Sequence, residues 1–245
     1  MCAGYYSYKS GHKPIFKGSE DFVGQIIHPQ EWNSSIDYEN KKVAVIGSGA
    51  TAVTLIPEIA KKASHVTMIQ RSPTYIASAP SKYKILHLLN YISPKLGYKI
   101  IRFTNILRQR RIYRRAIRSP ELVKDYLLGL VRDELPGFDV EKHFTPSYNP
   151  WEQRLCLAPD SDFFESINQK RVSVETETIH SFSEKGIQLD SGKLIEADII
   201  ITATGIKLQN FGGIRIFVDE NEIDISKSFI YKSMMYTQVP NFINT

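Results

Sequence analysis

Two rhythms of apolar and polar positions run along the chain. Residues 41–46, KKVAVI, form a short apolar run that stops at Gly47-Ser48-Gly49, and ATAVTLIPEIAKKA then places apolar groups at helical intervals. This reads as strand, tight turn and helix. Residues 65–70, HVTMIQ, read as a second strand, so Lys41 to Arg71 has the length of a βαβ element, which predicts a parallel sheet with flanking helices. Within residues 82–118, Ile100, Phe103 and Leu107 recur at helical spacing, predicting two amphipathic helices separated near Ser93-Pro94. A third helix is expected around Glu121 to Val131, followed by a Pro/Gly-punctuated stretch from Pro136 to Pro159. Short strands return at Val172–Val174, Gly186–Asp190 and Asp198–Ala203, with Ser191-Gly192 as a hairpin turn.

Composition narrows the class without naming an activity. With 245 residues the chain forms one large domain or two small ones, and 42% hydrophobic with 23% charged residues is a globular, not a disordered, composition. Cys2 and Cys156 form neither a CxxC pair nor a zinc cluster, so no metal site is expected and a reducing compartment, the cytoplasm, is. The start, MCAGYYSYKSG, has no basic segment followed by an apolar core, and no apolar run reaches the roughly 18 residues of a membrane span. The net charge of +5 is uneven, because residues 82–118 carry eleven Lys and Arg and no acid. Such a segment is a solvated helix face, a funnel for an anionic cofactor, or a surface for nucleic acid or an anionic membrane. No nucleic-acid docking motif accompanies it, so nucleic acid is not an expected partner, while peripheral membrane contact stays open.

Gly47-x-Gly49-x-x-Ala52, after a strand and opening a helix, is the dinucleotide fingerprint in its alanine-ending form. Gly47 allows the tight turn, Gly49 has no Cβ to block a pyrophosphate, and Ala52 lets helix and strand pack closely. The amides of Ser48, Ala50 and Thr51 then face the phosphates at a helix start. At the end of the second strand stands Gln70-Arg71-Ser72, then Thr74, where an NAD site would place an acid. Arg71 suits a 2′-phosphate, with Ser72 and Thr74 as hydroxyl donors, so NADP(H) is expected over NAD(H); a structural role for Arg71 is the alternative. DIIITATG, residues 198–205, ends in small residues at Thr204 and Gly205, which serve either close approach to a ligand or a tight strand exit.

Upstream, Phe22-x-Gly24-xxx-His28-xxx-Trp32 precedes the glycine turn. Taken together these pieces resemble the flavin-containing monooxygenase superfamily, specifically the Baeyer–Villiger type, whose fingerprint F-x-G-x-x-x-H-x-x-x-W this stretch matches position for position. RSPTYI after the second strand and Ala203-Thr204-Gly205 extend the similarity. The resemblance implies a Rossmann-like NADP-binding domain with a parallel sheet and a helical insertion at about 82–133, flanked by partial segments of an FAD domain. The expected divisions are 1–36, with the hinge, 37–206 for the NADP domain, and 207–245. It also implies roles: His28 linking cofactor binding to domain movement, Phe22 and Trp32 packing, and Arg154, in NPWEQRLCLAPDSDFFESI, as the catalytic arginine, a permanent charge beside flavin and nicotinamide. The implied activity uses NADPH and FAD to insert one atom of O2 into a ketone or to transfer it to sulfur or nitrogen.

No second G-x-G occurs in the 245 residues. The family's FAD fingerprint lies N-terminal to this kind of segment, so the chain is expected to be truncated at both ends, to bind NADP(H) and to hold FAD poorly. Segments that would pack on a missing flavin-domain piece are then expected to expose Phe211, Phe217 and Phe242. The alternative functions are a non-catalytic NADP(H)-binding module and an inactive fragment.

Overall fold

In the computed structural model, which describes residues 4–82 and 93–244, the apolar runs become strands in register. In chain order these are β1 (Tyr6–Gly11), β2 (Gln25–Ile27), β3 (Lys42–Ile46), β4 (His65–Gln70), β5 (Tyr75–Ala79), β6 (Leu155–Pro159), β7 (Val172–Thr176), β8 (Ile179–Ser183), β9 (Gly186–Leu189), β10 (Leu194–Glu196), β11 (Ile199–Thr202) and β12 (Ile206–Leu208). The chain divides into two units, Pro14–Thr204 and the pair of segments Met1–Lys13 and Gly205–Thr245.

The larger unit is built on a five-stranded sheet in the order β2-β11-β3-β4-β7, with every neighbouring pair parallel. Its central strands β3 and β11 are nearly continuous apolar runs because both faces are covered. Val43, Val45, Ile199 and Ile201 point to one core, and Ala44, Ile46 and Ile200 to the other. The first core is closed by α1 (Ala50–Ile59), by helices Pro120–Glu134 and Asp162–Asn168, and by the parallel pair β5–β6. The second is closed by the antiparallel sheet β10-β9-β8, which contributes Phe182, Ile187, Leu189 and Ile195.

The βαβ unit, the strands at 172, 186 and 198 and the third helix lie where the sequence pattern puts them, and Gly192, at φ +85, turns the hairpin from β9 to β10. The β5–β6 pair is absent from the pattern. Leu155–Pro159 ends in proline and sits in the punctuated stretch, and only tertiary pairing of Ile76 with Cys156 makes it a strand. Residues 14–36, expected in the flanking segment, supply the sheet's edge strand β2.

Of the two helices expected over 82–118, the first falls on residues 83–92, outside the described residues. The second, Pro94–Arg118, starts on Ser93, whose Oγ accepts from Leu96 N at 3.4 Å, with Pro94 at the first helical position. It buries only Gly97 and Ala116, and so leaves the expected apolar face open to solvent.

A short helix, Val140–Phe144, places His143 beside β7, where its Nδ1 lies 2.8 Å from Thr176 Oγ1. Burial, then the nearby Lys142, holds the imidazole pKa below its ordinary 6.5. The unfolded chain therefore binds the proton first, so stability is full above that ordinary value and is lost as pH falls below it. Urea midpoints measured between about pH 7 and pH 5 should fall for the wild type and fall less for His143→Gln. Equal slopes would remove His143 from the acid response.

In the smaller unit β1 pairs antiparallel with β12. Phe211 is 3% exposed, its ring against Tyr236 and Phe242 at centroid distances of 5.2 and 5.5 Å. This corrects the expectation of an exposed Phe211: a local aromatic cluster covers it. Phe242 is half-buried by the same cluster, and Phe217 is exposed.

Candidate functional site

The parallel register brings the carboxyl ends of β11, β3 and β4 to one edge, and the glycine turn lies there. Gly47 has φ +127, its amide donates to Ile69 O at 2.8 Å, and a Cβ would stand 2.4 Å from Ala203 O. Its glycine requirement comes from the protein itself: the strand exit at Ala203 passes too close for any side chain. Gly49 is different. It caps α1 in an extended conformation, and a Cβ there would meet no protein atom within 4 Å. The space over Gly49 is open, and no side chain caps the helix, so the first-turn amides face that space. Ala52 is fully buried under the turn, whereas Ala50 and Thr51 are exposed.

Beneath the turn, Ser48 and Thr74 share a buried hydroxyl pair at 3.0 Å, and Cys156 Sγ donates to Ser48 O at 3.8 Å. Thr74 is therefore a support for the turn and not, as its position in sequence implied, a donor to a ribose phosphate. Burial pushes the Cys156 thiol up, and nearby Arg154 opposes that shift.

Arg71 follows β4 directly and is exposed, with no ion pair or hydrogen bond from its guanidinium among the described residues. Ser72 is exposed beside it. The preceding residue is the anchor that sequence reading missed: Gln70 Nε2 donates to His143 O at 2.7 Å and to Thr176 Oγ1 at 2.9 Å. Its one signal was a polar residue closing the strand HVTMIQ directly before Arg71.

Arg154 lies two residues before Cys156, at the start of β6, with its side chain exposed. Its backbone is held by a relay of tyrosines. Tyr75 Oη donates to Tyr148 O at 2.8 Å, and Tyr148 Oη donates to Arg154 O at 2.9 Å. Desolvation of the buried Tyr75 hydroxyl pushes its pKa up to about 12, so it remains a donor at every physiological pH.

The upstream fingerprint straddles edge strand β2. Phe22 is buried in the second core, and a Cβ on Gly24 would lie 2.2 Å from Asp198 O. Past the strand's other end, His28 is 4% exposed and its Nδ1 accepts from Gln30 N at 3.2 Å, capping the turn Pro29–Glu31. Trp32 packs on Tyr38 with ring centroids 5.8 Å apart. Thr204 ends the larger unit, its Oγ1 donating to Thr202 O at 3.5 Å, while Gly205, at φ +109, lies in the smaller unit and accepts from His12 N at 3.0 Å.

Residues 1–108 match the family model described as flavin-binding monooxygenase-like. Over 248 aligned residues the chain is 49% identical to the FAD-containing monooxygenase EthA of Mycobacterium tuberculosis, covering 100% of this chain and 51% of that protein. Over its whole length the chain is similar to about half of an FAD-containing monooxygenase. It is also 49% identical to the probable FAD-binding monooxygenase AlmA of Acinetobacter baylyi, with 98% of this chain and 49% of that protein covered. The chain thus spans about half the length of the curated relatives it matches. Among solved structures, cyclohexanone monooxygenase bound to epsilon-caprolactone superposes with a TM-score of 0.65 at 19% identity, over 86% of this chain and 48% of that one. Steroid monooxygenase bound to NADP gives 0.65 at 20% identity, over 84% and 46%. These likenesses establish the fold: mixed α/β, with a Rossmann-like parallel sheet.

Proposed function

We propose that the chain is the NADP(H)-binding portion of an NADPH- and FAD-dependent monooxygenase that passes one atom of O2 to a ketone, sulfur or nitrogen of a small molecule, the other leaving as water. The observation that carries the reading is the open space over Gly49, faced by the uncapped start of α1. A nucleotide pyrophosphate fits it, held by the amides of Ser48 to Ala52 and the Thr51 hydroxyl. Arg71 and Ser72, at the end of β4, would receive the 2′-phosphate, and Gln70 fixes the strand end from which they project. When bound, NADP(H) supplies the hydride and FAD the oxygen-transfer chemistry.

This chain's own contribution is to bind, orient and charge the site. Arg154 offers a guanidinium on a backbone pinned by Tyr148. His28 is the candidate for linking nucleotide binding to movement, since it caps the turn that follows β2. The remaining flavin-contacting surface is supplied by a further piece of protein. Low cysteine usage supports the cytoplasm, and the basic segment 82–118 adds peripheral contact with a membrane. Among the described residues no helix is long and apolar enough to cross one.

Titration with NADPH and NADH is the test. Loss of charge-assisted hydrogen bonds in Arg71→Ala should weaken NADPH binding roughly 10- to 100-fold and NADH binding little. Equal weakening of both, or none, would remove Arg71 from the 2′-phosphate site. The second reading, a non-catalytic NADP(H)-binding module, draws on the single G-x-G of these residues. It expects the same Arg71 dependence with no flavin retained after incubation with excess FAD.

A further inference from the structure

Helix Pro94–Arg118 carries nine Lys and Arg and no acid in 25 residues. Apolar groups are exposed on several of its faces, Tyr98, Ile106, Tyr113 and Ile117 among them, and one line of residues runs its whole length. Leu96, Ile100, Phe103 and Leu107 succeed one another at intervals of four, three and four, which is one helix face, and Arg111, Arg114 and Arg118 continue the same face at four, three and four. The face is apolar for its first half and cationic for its second. Leu96 is 50% exposed, Ile100 40% and Phe103 63%, while Arg111, Arg114 and Arg118 are exposed as well. With Arg115 and Ser119, these three arginines line a shallow hollow of about 500 Å³. Among the described residues none of the four is ion-paired.

A solvated helix interleaves both signs of charge and keeps exposed large apolar groups few. Here neither holds. Apolar groups at one end of a face and guanidiniums at the other match the depth profile of a bilayer leaflet, acyl chains within and anionic phosphates at the surface. We propose that this face docks on an anionic phospholipid surface, tilted so that Leu96, Ile100 and Phe103 enter the acyl boundary while Arg111, Arg114 and Arg118 hold headgroup phosphates.

Bidentate guanidinium pairing suits phosphate, and Lys95, Lys99 and Arg102 flank the apolar half, where their long stems reach back to the headgroups. Charge also argues against a second copy of the chain as the occupant. A parallel pairing sets arginine against arginine, and an antiparallel one buries arginines on apolar groups. The proposal rests on the membrane part of the proposed function and on nothing in its nucleotide part.

Co-sedimentation of the chain with vesicles decides it. Vesicles of phosphatidylcholine with phosphatidylglycerol should bind the protein, less so as salt rises, and phosphatidylcholine alone should bind it weakly. At about fivefold per arginine, the triple variant Arg111→Gln, Arg114→Gln, Arg118→Gln should bind roughly a hundredfold less tightly. Phe103→Ser should weaken binding about tenfold or more, and keep doing so at high salt where charge is screened. Both variants should keep wild-type circular dichroism and NADPH affinity, so vesicle binding and nucleotide binding fail separately. Equal partition onto both vesicle types, no partition, or variants that bind like wild type would overturn the proposal. So would a dimer in sedimentation equilibrium that Phe103→Ser dissolves while vesicles bind nothing, which would assign the face to a second copy.

Discussion

Gly47→Ala should cost about 3 kcal/mol of stability and lower the melting temperature by roughly 10 °C, and it should do so without any ligand present. Two effects add at this position. The backbone sits at φ +127, where an L side chain is strained, and the new Cβ would stand 2.4 Å from the carbonyl oxygen of Ala203. That oxygen follows directly on β11, whose Ile199 to Ile201 are paired on both sides by β2 and β3, so relief of the contact has to shift the strand exit. The matching substitution two residues on should behave in the opposite way. Gly49→Ala meets no protein atom within 4 Å, so thermal melting should be unchanged, and the loss should appear only in NADPH titration, as a methyl group displaces the pyrophosphate from the amides. A stable Gly47→Ala would mean that Ala203 does not press on the turn. A Gly49→Ala variant with wild-type NADPH affinity would mean that the phosphates lie elsewhere.

That pair of glycines shows where the sequence was legible and where it was not. Both are named by the G-x-G-x-x-A pattern, which already gives Gly47 to the turn and Gly49 to the phosphates, and the packing adds that the carbonyl of Ala203 is what forbids a side chain at Gly47. The sheet was readable because strands covered on both faces are apolar without interruption, as in KVAVI and IIIT. Strands β5 and β6 were not readable, since each finds its partner across an 80-residue separation, from Ile76 to Cys156, and neither has a period of its own. Site residues that act by position alone were equally hidden. Nothing in the spacing of Tyr75, Tyr148 and Arg154 signals a hydroxyl-to-carbonyl relay, and Thr74 reads as a free donor until its bond to Ser48 is seen.

The second large effect is expected at Gly24, and it decides what the F-x-G-x-x-x-H-x-x-x-W stretch does. Gly24→Ala would place a Cβ 2.2 Å from Asp198 O and 2.5 Å from the Phe22 ring. Asp198 is fixed on both sides: its amide donates to Lys42 O at 2.8 Å, its carboxylate accepts from Lys42 N at 2.8 Å, and its carbonyl accepts from Gln25 N at 3.3 Å. The overpacking should therefore cost about 3 kcal/mol, since the edge strand must move away from β11 to relieve it. Shrinking the ring with Phe22→Leu should not rescue the variant, because the backbone contact is the tighter of the two and remains. At the other end of β2, His28→Ala removes the acceptor for Gln30 N and should cost about 1 kcal/mol, the scale of a lost helix cap. Chemical denaturation of the four proteins, wild type included, gives the ordering directly. If Phe22→Leu restores Gly24→Ala to wild-type stability, the glycine serves the ring alone and the stitch to Asp198 is slack. If it does not, the first half of the fingerprint is the clamp that holds β2 on the sheet, and any part in nucleotide-linked movement falls to its second half, His28 and Trp32, at the end of the strand that faces the glycine turn's edge.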